Sequence, residues 1–303
     1  MAMISVVVPC YNGGKFIDQL TASLARQTFR DFEIVIVNDG STDPATKGKL
    51  AALDPAILVI HQENRGLSAA RNAGFAAANA DLIMNLDCDD QLEPTYLAET
   101  LVALQSAGPE VGFAFTHVRL VGAAQGVQKR YYNEFDILFK NTIGYSMLIR
   151  KAAWLKAEKY DESMRDGYED WEFNLRLIGA GYAGIEIPKP LFLYTASTQG
   201  MLLGHSSHKH AATWRRIRQK HRDTYRLSNI VGLFSRGRSL RTEISVVRPI
   251  AQLLLSNFFP DSWHNAFIRF YRSFRMSRSK IDGQSMRRTR GGPDPRPGTR
   301  GNH

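Results

Sequence analysis

Residues 32–44 read Phe32-Glu33-Ile34-Val35-Ile36-Val37-Asn38-Asp39-Gly40-Ser41-Thr42-Asp43-Pro44. A short β-branched apolar run, Phe32–Val37, gives way to polar turn formers and then to a helix start. The run predicts a strand buried on both faces of a parallel sheet. Asp43 is placed to accept from the first free amides of a helix, and Pro44 suits that helix's first position. Outward from this stretch the pattern repeats: Ile4–Val8 and Ala56–Ile60 are further apolar runs. Between the first two, Phe16, Leu20 and Leu24 recur at i, i+4, i+8 and predict one buried helical stripe. Ala-rich Ser68–Ala80 reads as a helix feeding a fourth strand, Asp81–Leu86. A β-α-β-α-β-α-β order implies an α/β fold, a mostly parallel sheet with right-handed crossovers, and ligands on such sheets gather at the carboxyl ends of the strands.

Those ends carry the unusual polar residues. Pro9-Cys10-Tyr11-Asn12 follows the first strand, Asn38-Asp39-Gly40-Ser41 the second, and Asp87-Cys88-Asp89-Asp90 the fourth. Downstream, Glu93–Gly108 reads as a helix and Val111–Val118 as a strand. A mixed segment follows, with a strand at Tyr145–Ile149, a helix around Trp154, a helix opening at Glu169-Asp170, and strands at Ile185–Ile187 and Leu191–Tyr194.

Three carboxylates just past a buried strand are costly without a counter-charge. Alternate residues of an extended chain project to one side, and all-carboxylate donors suit a hard cation such as Mg²⁺ or Mn²⁺ with phosphate oxygens completing its shell. The plain alternative is a solvated acidic turn capping the helix at Glu93. Tyr11 offers a flat face to a nucleobase or packs under a loop. Asp39 is a pure acceptor for an imide N–H or a turn cap. Arg71, in a helix that opens near Arg65, meets a base or phosphate, or pairs with the Asp cluster.

At these residues the chain resembles the family-two glycosyltransferases of the GT-A fold. The resemblance rests on Val6-Val7-Val8-Pro9-Cys10-Tyr11-Asn12, Ile36–Asp43, Asn64–Asn72, Leu86-Asp87-Cys88-Asp89-Asp90, and Tyr168-Glu169-Asp170-Trp171-Glu172 with Arg176, in order over about residues 3–195. It implies a GT-A domain over 1–204, with a nucleotide-binding half over 1–110 and an acceptor half over 111–204. It further implies a nucleotide-sugar donor, UDP-linked, held by Pro9, Tyr11, Asn12, Asp39, Arg71, Asp87 and Asp89. A divalent ion, Mn²⁺ or Mg²⁺, is implied on Asp89 with Asp87 and Asp90, and Asp170 is implied as the general base of an inverting transfer. Glu169 and Trp171 are expected at the acceptor, with helix capping and core packing as their plain alternatives. At the start of its helix, Asp170 is expected to be ionised at neutral pH through the helix dipole. Relatives of this type follow the last strand with Tyr-Arg-x-His. Here Tyr194 is followed by Thr195-Ala196-Ser197, so His205 or His208 is the candidate replacement metal ligand, against a solvated basic loop.

The chain has 303 residues and a net charge of +10, unevenly placed. Residues 1–204 hold 18 basic and 24 acidic side chains, and residues 205–303 hold 21 and 5. Collagen-like and disulfide-scaffold classes are excluded by composition, and two cysteines give no metal site of their own. No signal peptide is read at Ile4–Val8, and the most apolar late stretch, Val246–Phe259, contains Arg248 and Pro249, against a membrane span. Residues 205–276 read as Arg-rich helices with Trp and Phe, either a membrane-surface element or a cap on the catalytic domain, and 277–303 as a disordered tail. The expected acceptor is a saccharide or lipid-linked saccharide of surface polysaccharide or glycoconjugate assembly, and the expected location is cytoplasmic, at the inner face of the membrane. Two competing classes are a nucleic-acid-binding protein using the basic third, which no recognition signature supports, and a nucleotidyltransferase using the acidic cluster.

Overall fold

The structure, a computed structural model, describes residues 2–197, 210–237 and 247–270. Four strands and three helices alternate in the first half: β1 (Ile4–Cys10), α1 (Gly14–Ala25), β2 (Phe32–Asp39), α2 (Pro44–Ala51), β3 (Leu58–Gln62), α3 (Leu67–Ala77) and β4 (Leu82–Asn85). Then come β5 (Gln91–Leu92), α4 (Tyr96–Gln105), β6 (Val111–Gly122), β7 (Gly126–Gln128), β8 (Met147–Arg150), α5 (Lys151–Lys156), α6 (Glu169–Gly179) and β9 (Ala183–Ala196). Helices α7 (His210–Lys220), α8 (Leu227–Gly237) and α9 (Val247–Phe258) follow, with a last helix over 261–270. The sheet order is β3-β2-β1-β4-β8-β6-β9-β5, with β7 paired to β6. β1 pairs in parallel with β2 and β4, and β2 with β3, whereas β8 runs antiparallel to both of its neighbours. The parallel half is as expected, and β8 turns the sheet mixed where the second half joins it.

Strand periodicity divides the core. Val6 and Val8 of β1 face one apolar cluster with Leu20 and Leu24, while Val7 faces the other with Phe75 and Trp154. Each face of the sheet is therefore covered by helices. Helix α3 lies so close to β1 that a Cβ on Gly74 would sit 2.2 Å from Val7 Cγ1. Asp43 caps α2 as its sequence demands, accepting from Ala45 N and Thr46 N, with Pro44 in the first turn. In α1 the buried stripe is Ile17, Leu20 and Leu24, with Phe16 at its margin.

Two expectations change, and the helices after residue 209 pack as the cap that is one of their two readings. β3 is an edge strand, half-exposed instead of buried on both faces, because the order runs outward from β1 to it. The two strands expected at Ile185–Ile187 and Leu191–Tyr194 are one, β9. Its pairing with β6 jumps from Thr116↔Ile187 to Val118↔Phe192, so Pro188 and Pro190, which lack an N–H, fall in the bulge where no ladder bond is required. The helices after residue 209 also share the core of the catalytic half. Trp214 and Ile217 of α7 are fully buried beside Phe139 and Trp171, with Ile230 and Leu233 of α8 in the same cluster. Among the described residues no helix is long and apolar enough to cross a membrane.

Candidate active site

The exits of β1 and β2 are locked together by Asn12. Its Oδ1 accepts from Thr42 N and Asp43 N, both at 2.9 Å, and its own N–H donates to Ser41 Oγ at 3.0 Å. Asn12 takes a left-handed backbone (φ 51°) to do so, a conformation that asparagine tolerates better than most residues. Pro9 is buried in the ladder opposite Val37, and Tyr11 stands 53% exposed at the rim. Asp39 is buried, and its carboxylate organises the loop after β3: it accepts from Arg65 N and Gly66 N at 2.9 Å and from Gln62 Nε2 at 2.6 Å. Gly40 makes the turn possible, since at φ 69° a Cβ would lie 2.6 Å from Asn64 N. The three polar segments therefore form one rim.

At the centre is Arg71, fully buried on α3. Its guanidinium reaches Asp87 (Nη2 to Oδ1, 2.9 Å) past the end of β4 and Glu169 (Nη1 to Oε1, 2.7 Å) at the start of α6. The rings of Tyr145 and Tyr160 lie 5.0 and 5.5 Å from its Cζ, completing a cation–π cage. Burial opposes the charge of Arg71, but Asp87 and Glu169 more than offset this and hold its pKa well above the ordinary value. One side chain thus ties the first half of the chain to the second.

The acidic cluster separates into three environments. Asp87 pairs with Arg71 and its side chain stays 22% exposed. Asp90 is turned inward, accepting from the Tyr145 hydroxyl and from Thr195 N, and burial, with Asp89 and Asp87 nearby, lifts its pKa well above the usual carboxylate range. It does not join Asp87 and Asp89 as a third outward ligand: its two oxygens serve the contact between this loop, Tyr145 and β9. Asp89 remains half-buried, its pKa raised by burial and by Asp87, and among the described residues no ion pair reaches it. Asp87 and Asp89 fit a hard divalent cation, since such an ion would relieve the desolvated carboxylate. No three acidic, His or Cys side chains among the described residues form a metal cage, so phosphate or water oxygens would complete the shell.

Asp170 follows Glu169 in the first turn of α6. Its Oδ2 accepts from Asn141 Nδ2 at 2.7 Å and its Oδ1 from Trp171 N at 2.8 Å. Asn141 is held in turn: its Oδ1 accepts from Gly144 N and Asn174 Nδ2. Burial raises the pKa of Asp170, and Arg71, the Trp171 amide, Arg130 and Asn141 oppose it, leaving the net direction upward. The helix dipole expected to hold it ionised is outweighed by desolvation. Arg130, on the segment after β7, is a cation at this carboxylate whose Nε has no hydrogen-bond partner.

Two residues expected at the acceptor are buried. Glu169 is buried against Arg71, and burial pushes its pKa up. Trp171 is 2% exposed and donates through Nε1 to the Ile137 carbonyl, so it packs in the core. Glu172 likewise faces away, gripped by Arg176, Lys220 and His221 and held down to about 2 by them despite its burial. His205 and His208 lie outside the described residues. Cys10 and Cys88 flank the rim with sulfurs 3.8 Å apart, both as free thiols. Asn141, Tyr145 and Arg130 were missed as site residues by sequence reasoning. The polar residues Asn141 and Arg130 lie in an unpatterned stretch, and Tyr145 reads as an ordinary strand residue.

This geometry has counterparts. A family model described as glycosyl transferase family 2 matches residues 5–163. A Bacillus subtilis protein named as a glycosyltransferase, EpsH, is 42% identical over 109 residues, 35% of this chain and 31% of that protein. The chain thus spans about a third of the length of that relative. Among solved structures, Staphylococcus aureus TarS in complex with UDP superposes with a TM-score of 0.58 at 20% identity, over 71% of this chain and 64% of that one. A mannosyltransferase from Pyrobaculum calidifontis, in complex with GDP-Man and Mn²⁺, gives a TM-score of 0.57 at 16% identity over 91% and 82%. The family match covers more than half of the chain and runs through all three strand exits that build the rim, and the solved neighbours share the fold; the chain belongs to glycosyl transferase family 2 and has the GT-A fold.

Proposed function

We propose that the protein moves a sugar from a UDP-sugar to an acceptor hydroxyl with inversion at the anomeric carbon. The acceptor is a saccharide or lipid-linked saccharide of surface polysaccharide or glycoconjugate assembly, elongated in the cytoplasm. One observation carries the reading: Arg71 joins the Asp87 loop directly to Glu169, the neighbour of Asp170, so donor-side and acceptor-side carboxylates share one rim. That solved neighbours hold UDP, UDP-GlcNAc, or GDP-Man with Mn²⁺ supports the donor class and the metal.

In this reading Tyr11 stacks on the base, while Asp39, through the amides of Arg65 and Gly66, shapes the pocket around it. Asp87 and Asp89 would hold a divalent ion, and the chemistry it would supply is stabilisation of the charge on the leaving group. Asp170 takes the proton of the attacking hydroxyl. A desolvated carboxylate with a raised pKa is a stronger base than one in water, and Asn141 fixes the orientation of its Oδ2. Arg130 keeps the ionised form accessible by balancing part of the burial cost. A nucleotidyl transfer on the same cluster would leave Asp170 and its support without a task.

Hydrolysis and transfer should be screened with UDP-glucose, UDP-galactose and their N-acetyl forms, each with Mn²⁺ and with Mg²⁺. The proposal expects turnover with at least one pair and its loss in Asp89→Ala. Turnover that persists in Asp89→Ala and in the presence of EDTA contradicts it.

A further inference from the structure

Among the described residues nothing covers one face of the last helices, and that face has two parts. α9 turns Arg248, Gln252 and Ser256 inward, while Ile250, Leu254 and Phe258, at i, i+4 and i+8, are 54%, 50% and 76% exposed. Phe259 and Trp263 extend this ridge as an exposed pair with rings stacked 5.3 Å apart. Beside the ridge is a cavity of about 300 Å³ lined by Arg215, Arg218 and Arg222 on one side and by Ser256 and Asn257 of α9 on the other. The lining residue Asn257 and the ridge residue Phe258 are chain neighbours on α9.

The cavity has an excess of positive charge and of hydrogen-bond donors. Arg218 donates to Ser256 Oγ and to Asn257 Oδ1, yet its buried Nε has no partner. Burial and the neighbouring Arg215 weaken its hold on the proton, an effect that a bound anion would reverse. Among the described residues Asp261, on Arg215, is the acid paired with these three arginines. Guanidinium groups in excess over carboxylates, with a donor left open, match a phosphate.

We propose that this face docks the protein on an anionic phospholipid surface, with the Ile250-Leu254-Phe258 ridge and the Phe259–Trp263 pair among the acyl chains and a headgroup phosphate in the arginine cavity. The combination of an apolar stripe, interfacial aromatics and flanking arginines is the one that anionic bilayers select. Charge argues against the other occupants. Residues 271–303 carry nine Lys or Arg and two Asp, so that segment repels the cavity. A second copy placed on the same face by a two-fold axis would set arginines against arginines.

Trp263 makes the test direct. It is 60% exposed, whereas Trp154, Trp171 and Trp214 are 1%, 2% and 0% exposed, so a change of tryptophan emission on membranes reports on this face. The full chain should float with phosphatidylcholine vesicles containing phosphatidylglycerol, and not with phosphatidylcholine alone. Its emission should shift to the blue and be quenched by brominated acyl chains. Arg222→Glu, a double charge change at the rim, should weaken binding by about thirtyfold at a contribution of about 1 kcal/mol per charge. Leu254→Asp with Phe258→Asp should abolish the quenching while donor hydrolysis without vesicles stays unchanged, which separates this idea from the catalytic one. Flotation without Trp263 quenching would show that the basic terminal segment binds lipid by itself and would overturn the proposal. So would equal binding by the Leu254/Phe258 variant, or a concentration-dependent dimer that this variant loses.

Discussion

Replacing Arg71 by Met removes the guanidinium but keeps most of the side-chain volume, and it leaves Asp87 and Glu169 facing each other in the interior. The side chains of Arg71, Asp87 and Glu169 are 1%, 22% and 6% exposed, so solvent screens the triad weakly. Breaking a buried pair by removing one partner costs about 3–5 kcal/mol. For a chain of this size that corresponds to a fall in Tm of roughly 6–20 °C, at about 2–4 °C per kcal/mol. The deficit should depend on pH with a definite sign. Burial already raises the pKa of Glu169, and Arg71 is the strongest influence opposing it; without Arg71 the folded pKa rises further above the unfolded one. A group with a raised folded pKa contributes stability at low pH that is lost as pH rises through the folded value. The variant should therefore be closest to wild type in mild acid and fall behind as pH increases. Adding Glu169→Gln should recover part of the loss at neutral pH, and Arg71→Lys should fall between, since an ammonium cannot fork to both carboxylates. Urea and thermal unfolding from pH 5 to pH 8 measure this. A deficit below about 1 kcal/mol, or one independent of pH, would refute the reasoning, because it would mean that the triad behaves as a surface ion pair.

Further outcomes follow from the same geometry. Asp90→Asn should fold and keep most of its turnover, because Asp90 is pushed toward the neutral form and both of its oxygens already accept from the Tyr145 hydroxyl and Thr195 N, whereas Asp89→Asn should lose metal-dependent turnover; parallel metal titrations distinguish the two. Gly74→Ala should cost about 1–3 kcal/mol through overpacking, because its Cβ meets Val7 Cγ1 at 2.2 Å, and urea midpoints read the loss. Cys10→Ser and Cys88→Ser, taken singly, should leave turnover largely intact, since both thiols are buried beside the rim and each serves the other as a weak hydrogen-bond partner; a large loss in kcat would assign them a role in the site.

The sequence made the rim legible because its parts obey local rules. Asn38–Asp43 breaks a strand, turns on Gly40 and caps α2 in consecutive residues, and each step has a chemical signature. For Arg71 the plain alternative, an ion pair with the Asp cluster, is the contact formed, to Asp87. What escaped was long-range. Glu169 reads as a helix-opening acid, and only the approach of α6 to α3 turns it into a buried partner of Arg71. Asp90 carries the same local signal as Asp89, yet Tyr145 and β9 draw it inward. Burial also decided the direction for Asp170, a quantity that helix position alone does not report. β9 kept its continuity through Pro188 and Pro190 because the bulge against β6 removes the need for their amides.

The proposed mechanism turns on Asp170 as the group that takes the acceptor's proton. The measurement is the rate of glycosyl transfer, with the donor and metal identified by the screen, for wild type and Asp170→Asn across pH, together with UDP affinity. The account predicts that UDP affinity is retained and that transfer falls by about 10²–10⁴-fold. The wild-type rate should also rise with pH along a limb displaced upward from that of a solvent-exposed aspartate, the direction in which burial moves Asp170. Transfer by Asp170→Asn within about tenfold of wild type, on a pH profile that keeps this limb, would contradict it.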